Sequence, residues 1–575
     1  MGTIRLFRGG LYLGVALGAL VAANGARADS FDIGDPNWAV RWDNTFKYSN
    51  AFRVAPQDGT VAAIQEPSNS NTVQGDRNFK QGLISNRVDL LSELDAIYKE
   101  DQGFRLSAAA WYDSVYNQKT DNTDIQATNN AREGANQLPG MTQVLHGRDA
   151  EILDALVFKK FQFGEQSLSV RAGRFSQLYG ETLFMGANGI AAAQGPVDVI
   201  KALSVPNSQF KEIMLPVGQV AVNYQPGNGL TFGVYYQFQY RPDRLPGNGS
   251  YFSDASIFGE GLETIFPPFN LPGNPIGQNV YLHHTKDMRP NEQGQAGGQI
   301  RWKASENWEF GLYAANYHEK DPAADYVIPT AGAPALRIFP DGASGLDVGY
   351  YQQVFNKNVQ TYGASFATAI GDTNVSGEIS GRHNQSLVTN DGAVLVLTGP
   401  AAASDNSSNT AYLRGDTLHA NVSAISLLTE NAIWDGAAVV AELGANHLMA
   451  IDNKGGGRFL NPTSTHTAAA ARAVLEPSFF QVIPNLDITT PIGFGAGLYG
   501  RSALGSHIGN FNPASVYDLS IGVKGSYKSV WKVSLTYTNY FGAKGQPTTG
   551  VARDLSYAQD LYDRDFVAFS VSRTF

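Results

Sequence analysis

Nine histidines are scattered through the 575 residues, and cysteine is absent. Zinc chemistry of the HExxH kind would need two histidines one helical turn apart, and thiol catalysis or a Cys-based metal site would need sulfur. The chain has neither. His419 and Ser423 fall on one face of an extended run, but a nucleophile and its base must lie within hydrogen-bond reach of each other and be oriented by an acid. Their spacing provides neither. His283-His284 sits in a loop, and Asp121 with Asp124 falls short of the ring of oxygens that calcium takes. The expectation is no catalytic residue, no resident metal and no cofactor. With 42 Lys and Arg against 52 Asp and Glu, the surface is acidic and argues against a nucleic-acid partner.

More informative are charges that alternate with apolar side chains. Arg41, Asp43 and Lys47 share one face of an extended segment, as do Arg87, Asp89, Glu93 and Asp95, then Arg105 and Asp113, then Arg171. Acids and bases interleaved in this way can pair across neighbouring strands and line a wet lumen. No ring of a single sign, such as a charge filter uses, stands out. Arg174 is the exception, because Leu168, Val170 and Ala172 place it on the apolar side. A charge there would cost about 2–4 kcal/mol at mid-bilayer, so a bulge at Gly173 or a position near the rim is expected.

The elements that position these charges are two-faced strands. Val40, Trp42, Phe46, Tyr48 and Phe52 oppose Arg41, Asp43, Thr45, Lys47 and Ser49, following the two-residue period of extended chain. The pattern is strongest in Leu230–Tyr240 and recurs in 518–524 and 531–537. It predicts strands at 38–54, 83–99, 103–117, 150–163, 167–177, 215–225, 229–240, 295–304 and 307–318. Further strands are expected at 359–370, 373–383, 417–430, 437–449, 468–482, 489–500, 515–527, 530–541 and 565–575. About 18 strands, an even number, fit an all-β, antiparallel, up-and-down transmembrane barrel. Tight turn chemistry at Glu100-Asp101-Gln102, Gly164-Glu165-Gln166, Pro226-Gly227-Asn228, Ser305-Glu306 and Gly371-Asp372 alternates with long links. Short links mark a periplasmic rim and long ones the cell exterior.

Ahead of the strands, Arg5 and Arg8, an apolar run from Leu11 to Ala23 and Ala26-Arg27-Ala28 form a secretory leader expected to be cut after Ala28. Its removal would take the net charge from −10 to −13. Residues 29–37 are then a short periplasmic segment, and 38–575 a single barrel with inserted loops. The last strand sets Val567, Phe569, Val571 and Phe575 on one face, similar to the terminal signal read by the barrel-assembly machinery of outer membranes.

Two loops break the pattern. Residues 178–216 do not alternate and are punctuated by Gly186, Gly189, Gly195 and Pro196. Such a loop either folds inward as a constriction, over 178–214, or forms an outward lid. The link 241–294 is apolar: Ile257, Phe258, Leu262, Ile265, Phe266 and Phe269. Val327-Ile328-Pro329, Ile338-Phe339-Pro340 and Val394–Leu397 share that character. Apolar loops are unfavourable in water, so these should pack together at the mouth, as a plain cap or as a hydrophobic binding surface built on Ile257, Phe258, Ile265, Phe266 and Phe269.

Several stretches resemble the uncharacterised Gram-negative outer-membrane family known as domain of unknown function 1302. They include Phe31-Asp32-Ile33-Gly34, Trp42-Asp43-Asn44-Thr45, Gly75-Asp76-Arg77-Asn78-Phe79, Ser85–Glu93, Ala110-Trp111-Tyr112-Asp113, Arg171-Ala172-Gly173-Arg174, Gly180-Glu181-Thr182, Pro196-Val197-Asp198, Lys211–Pro216 and Ala315-Asn316-Tyr317-His318. The resemblance implies an integral protein of the Gram-negative outer membrane, in contact with lipid and lipopolysaccharide. It also implies a periplasmic or lipoprotein partner and an inner-membrane exporter of the resistance-nodulation-division class. The combined expectation is a channel or transport barrel for small or hydrophobic molecules, lipids among them. The rival readings are a barrel-embedded lipid-modifying enzyme and a closed barrel acting as adhesin or scaffold through its loops.

Overall fold

The computed structural model describes residues 29–31, 33–63, 70–124, 127–267, 279–330, 334–338, 344–390, 394–453, 457–505, 511–548 and 554–575. The leader at 1–28, Phe269 and Phe339-Pro340 lie outside the described residues. No described helix is long and apolar enough to cross a membrane.

Eighteen antiparallel strands close into a barrel. In chain order they are β1 (Trp38–Arg53), β2 (Gly82–Tyr98), β3 (Gln102–Asp113), β4 (Arg148–Phe163), β5 (Gln166–Phe175) and β6 (Val217–Gly227). Next come β7 (Leu230–Gln237), β8 (Gln295–Lys303), β9 (Trp308–Tyr317), β10 (Val359–Ile370), β11 (Thr373–Leu387) and β12 (Leu413–Leu428). The last are β13 (Gly436–Asn453), β14 (Thr467–Ile483), β15 in two pieces (Leu486–Thr489 and Ile492–Tyr499), β16 (Val516–Tyr527), β17 (Trp531–Gly542) and β18 (Phe566–Thr574). Each strand pairs with the next, and β1 pairs with β18 from Thr45↔Thr574 to Arg53↔Phe566, which closes the sheet. Pro491 explains the break in β15, since it has no N–H to give the ladder.

The outer face carries half-exposed apolar side chains around the wall, among them Val157, Val234, Leu312, Ile379, Val422, Leu443, Ile521 and Leu535. Such a belt suits hydrocarbon rather than water. At one rim the turns are tight: Lys99 and Glu100 sit at φ 52° and 60°, and Asn228 at 55° followed by Gly229 at 74°. Two successive left-handed residues are what a two-residue hairpin turn asks for.

At the other rim the long links fold on each other. Thr264–Ile265, Asn279–His284, Ala324–Pro329, Ala335–Ile338, Ser344–Val354 and Val394–Val396 form a six-stranded cap sheet. Ile257 and Ile265 are buried in its core with Leu282, Val327 and Tyr351, and Phe258 packs against that core. Phe266 is half-buried and exchanges backbone hydrogen bonds with the Asn71 amide. Of the two readings, a plain cap and a hydrophobic binding surface, the plain cap describes Ile257, Phe258 and Ile265, whose apolar surface is spent on its core.

Polar contacts bind the cap to the barrel. Arg53, at the end of β1, is fully buried and pairs with Asp76 at 2.7 Å and Asp563 at 3.0 Å. It thereby joins the helix Ser70–Asn78 to the link before β18. Gly75 in that helix has no substitute, because a Cβ would stand 2.4 Å from the Ser253 carbonyl oxygen. Arg53→Ala would leave two buried carboxylates without their cation. We expect it to lower stability by about 3–5 kcal/mol in urea unfolding of the barrel in lipid vesicles. Arg41→Ala, whose side chain is 65% exposed beside Asp43, should change it far less.

Candidate functional site

β5 ends at Phe175 directly opposite Val217 of β6, so residues 176–216 leave the wall and return to it at one point. Between them lie short turns at Gly186–Asn188 and Ile190–Ala193 and short helices at Val199–Ser204 and Phe210–Ile213. Asp198 caps the first helix by accepting the Lys201 N–H at 2.9 Å. The glycines that break the alternation are what let this chain fold tightly.

The segment crosses the lumen, because its partners stand on strands all around the wall. Glu442 of β13 accepts from Thr182 Oγ1 at 2.8 Å and Met185 N–H at 2.8 Å, and also from the N–H groups of Leu183 and Phe184. Glu378 of β11 accepts the N–H groups of Glu181 at 2.7 Å and Ile190 at 2.9 Å. Charge-assisted bonds of this kind are roughly twice as strong as neutral ones. Their closeness also explains two glycines: a Cβ would lie 2.4 Å from the Glu378 carboxylate at Gly180 and 2.2 Å from it at Gly189.

Other strands complete the hold. Arg301 of β8 pairs with Glu181 at 2.9 Å, and Arg382 of β11 donates to the Ala187 and Gly189 carbonyls at 2.8 Å each. Asn188 donates to Asn421 Oδ1 at 2.7 Å, while Asn446 donates to Asn188 Oδ1 at 3.1 Å. On another side Asn207 donates to Ser520 at 2.9 Å and accepts from Arg472, which pairs with Asp518 at 3.0 Å. Asp198 pairs with Arg244 at 2.9 Å, which also holds Glu151 of β4 at 2.6 Å. Leu203 packs against the buried cluster that includes Tyr540 of β17 and Phe566 of β18.

Beside the segment lies a cavity of about 110 Å³, lined by Val197, Phe210, Asp243, Tyr317, Glu319, Lys320, Asp321 and Arg382. Burial pushes Asp243 up, and the neighbouring Asp321 adds to this. Asp321 is likewise raised by burial. Burial pulls Lys320 down to about 8, against the opposing pull of Asp243, Glu319 and Asp321. Glu319 is also raised by burial, although Ser386 N–H at 2.8 Å, Gln385 Nε2 at 2.6 Å and Asn356 Nδ2 at 3.2 Å all donate to it. The cavity is thus polar, with burial favouring the neutral forms of its acids and of its one amine.

The charges read from sequence form a separate ladder on β1–β4. Arg41 meets Asp43 at 2.5 Å and Arg87 meets Asp89 at 2.7 Å. Arg105 joins Glu93, Asp95 at 3.1 Å and Asp154 at 3.3 Å. Lys47 stands opposite Asp89 in register, and Asp113 accepts from Ser85 Oγ at 2.5 Å and Val115 N–H at 2.9 Å. Arg171 donates to Gln177 and lies 4.8 Å over the Phe175 ring. Arg174 requires a correction: Ala155↔Arg174 and Arg174↔Gly218 pair without any register shift, so no bulge turns it inward. It stands on the face opposite Arg171 and Phe175, one residue from the strand end. Gly173, at φ +130°, serves close strand approach instead, since a Cβ there would lie 2.2 Å from the Ala155 carbonyl oxygen.

His419 and Ser423 are both committed to the segment and the wall. The imidazole contacts Asn188 Oδ1 at 3.0 Å and Thr417 Oγ1 at 2.9 Å, whereas Ser423 contacts Ser376 at 2.8 Å and donates to the Glu181 carbonyl at 3.3 Å. Asp124 pairs with Arg77, and Asp121 accepts the Lys80 N–H. Sequence reasoning missed Glu378, Glu442, Arg382, Asn188 and Asn207. The available signal was a lone inward carboxylate in the middle of each of two strands.

No curated protein matches the sequence. Among solved structures, OccAB4 of Acinetobacter baumannii aligns over 93% of this chain and 98% of its own, at 9% identity and a TM-score of 0.40. OccD3 (OpdP) of Pseudomonas aeruginosa aligns over 93% and 91%, at 10% identity and 0.37. The outer membrane channel DcaP of Acinetobacter baumannii aligns over 94% and 98%, at 8% identity and 0.34. The family model described as a protein of unknown function, DUF1302, matches residues 10–575, and this chain belongs to that family.

Proposed function

We propose that the protein is an outer-membrane channel for small polar solutes, narrowed by the segment 176–216. The observation that carries this reading is the suspension of that segment across the lumen by Glu378 and Glu442. Eighteen strands enclose a bore too wide for side chains alone to fill, so the free cross-section is whatever an inserted loop leaves. The path past the segment runs along charged and hydrogen-bonding groups, which favour a hydrated solute over a lipid. Of the apolar residues that suggested a greasy route, Ile257, Phe258, Leu262 and Ile265 are packed into the cap. Coupling to a periplasmic partner or an inner-membrane exporter follows from the family resemblance alone and plays no part in this mechanism.

In this reading the carboxylates act as clamps. Glu442→Gln replaces one acceptor oxygen with an amide that must face the N–H groups of Phe184 and Met185 or of Leu183. Together with Glu378→Gln it should loosen the segment and raise single-channel conductance in planar bilayers. Identical conductance in wild type and the double variant would count against the proposal.

Lys320 provides a second test. It is charged below its value of about 8 and neutral above it, so the cavity loses one positive charge as pH rises. Cation preference, measured as the reversal potential in a salt gradient, should increase between roughly pH 7 and pH 9. Lys320→Gln should show the high-pH preference throughout and abolish the shift.

A further inference from the structure

Outside the lumen, near the long-loop ends of β11, β12 and β13, three ligating side chains converge. His383 follows the inward Arg382 and so projects outward. It pairs with Gln360, two residues from the exposed Tyr362. Asp416 lies two residues beyond Leu418, which belongs with Val422 to the outer apolar belt. Asp452 falls in a register shift of β13, between Ile451 opposite Gly415 and Asn453 opposite Arg414. A second shift separates Asp416 from Thr417, and a third interrupts β11 between Arg382 and Gln385. Irregular pairing on three successive strands therefore ends with three side chains at one spot. His383 Nδ1 stands 2.6 Å from Asp416 Oδ1 and 3.6 Å from Asp452 Oδ2. Ligand atoms of all three lie within 4.8 Å of one another.

We propose that His383, Asp416 and Asp452 form a divalent-cation site of the zinc class on the outer face of the long-loop rim. One imidazole nitrogen and two carboxylate oxygens are donors that zinc takes at about 2.0–2.2 Å. Neighbouring donors around such a tetrahedral ion stand roughly 3.3 Å apart, a separation bracketed by the two observed here. Charge points the same way. A protonated imidazole brings one positive charge to two carboxylates, whereas a dication beside a neutral imidazole balances both. Calcium and magnesium prefer all-oxygen sets, so the imidazole selects the transition-metal side. The side chains are 57%, 41% and 36% exposed, which gives the ion access from outside and leaves coordination positions for water.

The test uses the full-length barrel, purified in detergent, stripped with chelator and held in phosphate-free buffer. Calorimetric titration with zinc chloride should show one saturable site per chain, with calcium chloride giving none. His383→Ala and Asp452→Asn should each weaken zinc binding by about tenfold or more. Cobalt should give a visible absorption band in the wild type that both variants lose. Heat-resistant gel mobility of the variants shows that they are folded. Absence of a stoichiometric zinc site, or equal binding in wild type and folded variants, overturns the proposal. Because the three residues lie outside the lumen, this result stands apart from the channel reading.

Discussion

Closure of the sheet is the constraint on which everything else rests. A strand in hydrocarbon has no water to satisfy its backbone N–H and C=O groups, and only a ring without edges pairs them all. Here the pairing of β1 with β18 from Thr45 to Arg53 removes the last edge. Once the ring closes at eighteen strands, it encloses more space than inward side chains occupy. The polar ladder on β1–β4 and the segment 176–216 are two answers to that space, one coating the wall and the other spanning it.

The same constraint governs how the spanning segment is built. Residues 176–216 are mostly not helix or strand, so their backbone groups need partners from elsewhere. The wall supplies them: carboxylates of Glu378 and Glu442 for the N–H groups, and the Arg382 guanidinium for the carbonyls of Ala187 and Gly189. Each of these side chains sits on an inward position of a mid-barrel strand. The wall is therefore an incomplete inner surface without the segment, and the segment is an unsatisfied backbone without the wall. Buried charges would be costly in either alone.

The strands were legible because their code is local. Alternation such as Leu230 to Tyr240, or Val40 to Phe52, needs only neighbouring residues, and turns such as Pro226-Gly227-Asn228 announce themselves by type. Local readings erred where the answer depended on distant chain. Glu442 lies 257–260 residues from its partners Thr182 and Met185, and nothing near it in sequence names them. His419 was read only against its strand neighbour Ser423, yet Asn188 arrives from 231 residues away to meet it. At Arg174 the alternation was right, and of the two escapes it allowed the structure takes the position near the rim and not the bulge. Gly173 is required by strand contact, and the charge sits near a strand end where water is close. The cap was anticipated only as apolar material, because its strands come from three separate links and pair across them.

The distribution of attachments along the segment has a mechanical consequence. Contacts to Glu378 and Glu442 are concentrated between Glu181 and Ile190, those to Arg472 and Ser520 fall at Asn207, and the two ends are tied into β5 and β6. Apolar packing backs the polar clamps: Phe184 and Met185 join Val440, Ala470 and Val474 of the wall, and Tyr179 and Ile190 join Ala221, Tyr235 and Tyr313. The segment is therefore held at polar points and by buried aromatic and aliphatic side chains together. The cavity lined by Asp243, Lys320 and Arg382 borders this span. Arg382 belongs to both, lining the cavity while its guanidinium holds the Ala187 and Gly189 carbonyls. One guanidinium thus ties the wall of the cavity to the hold on the segment.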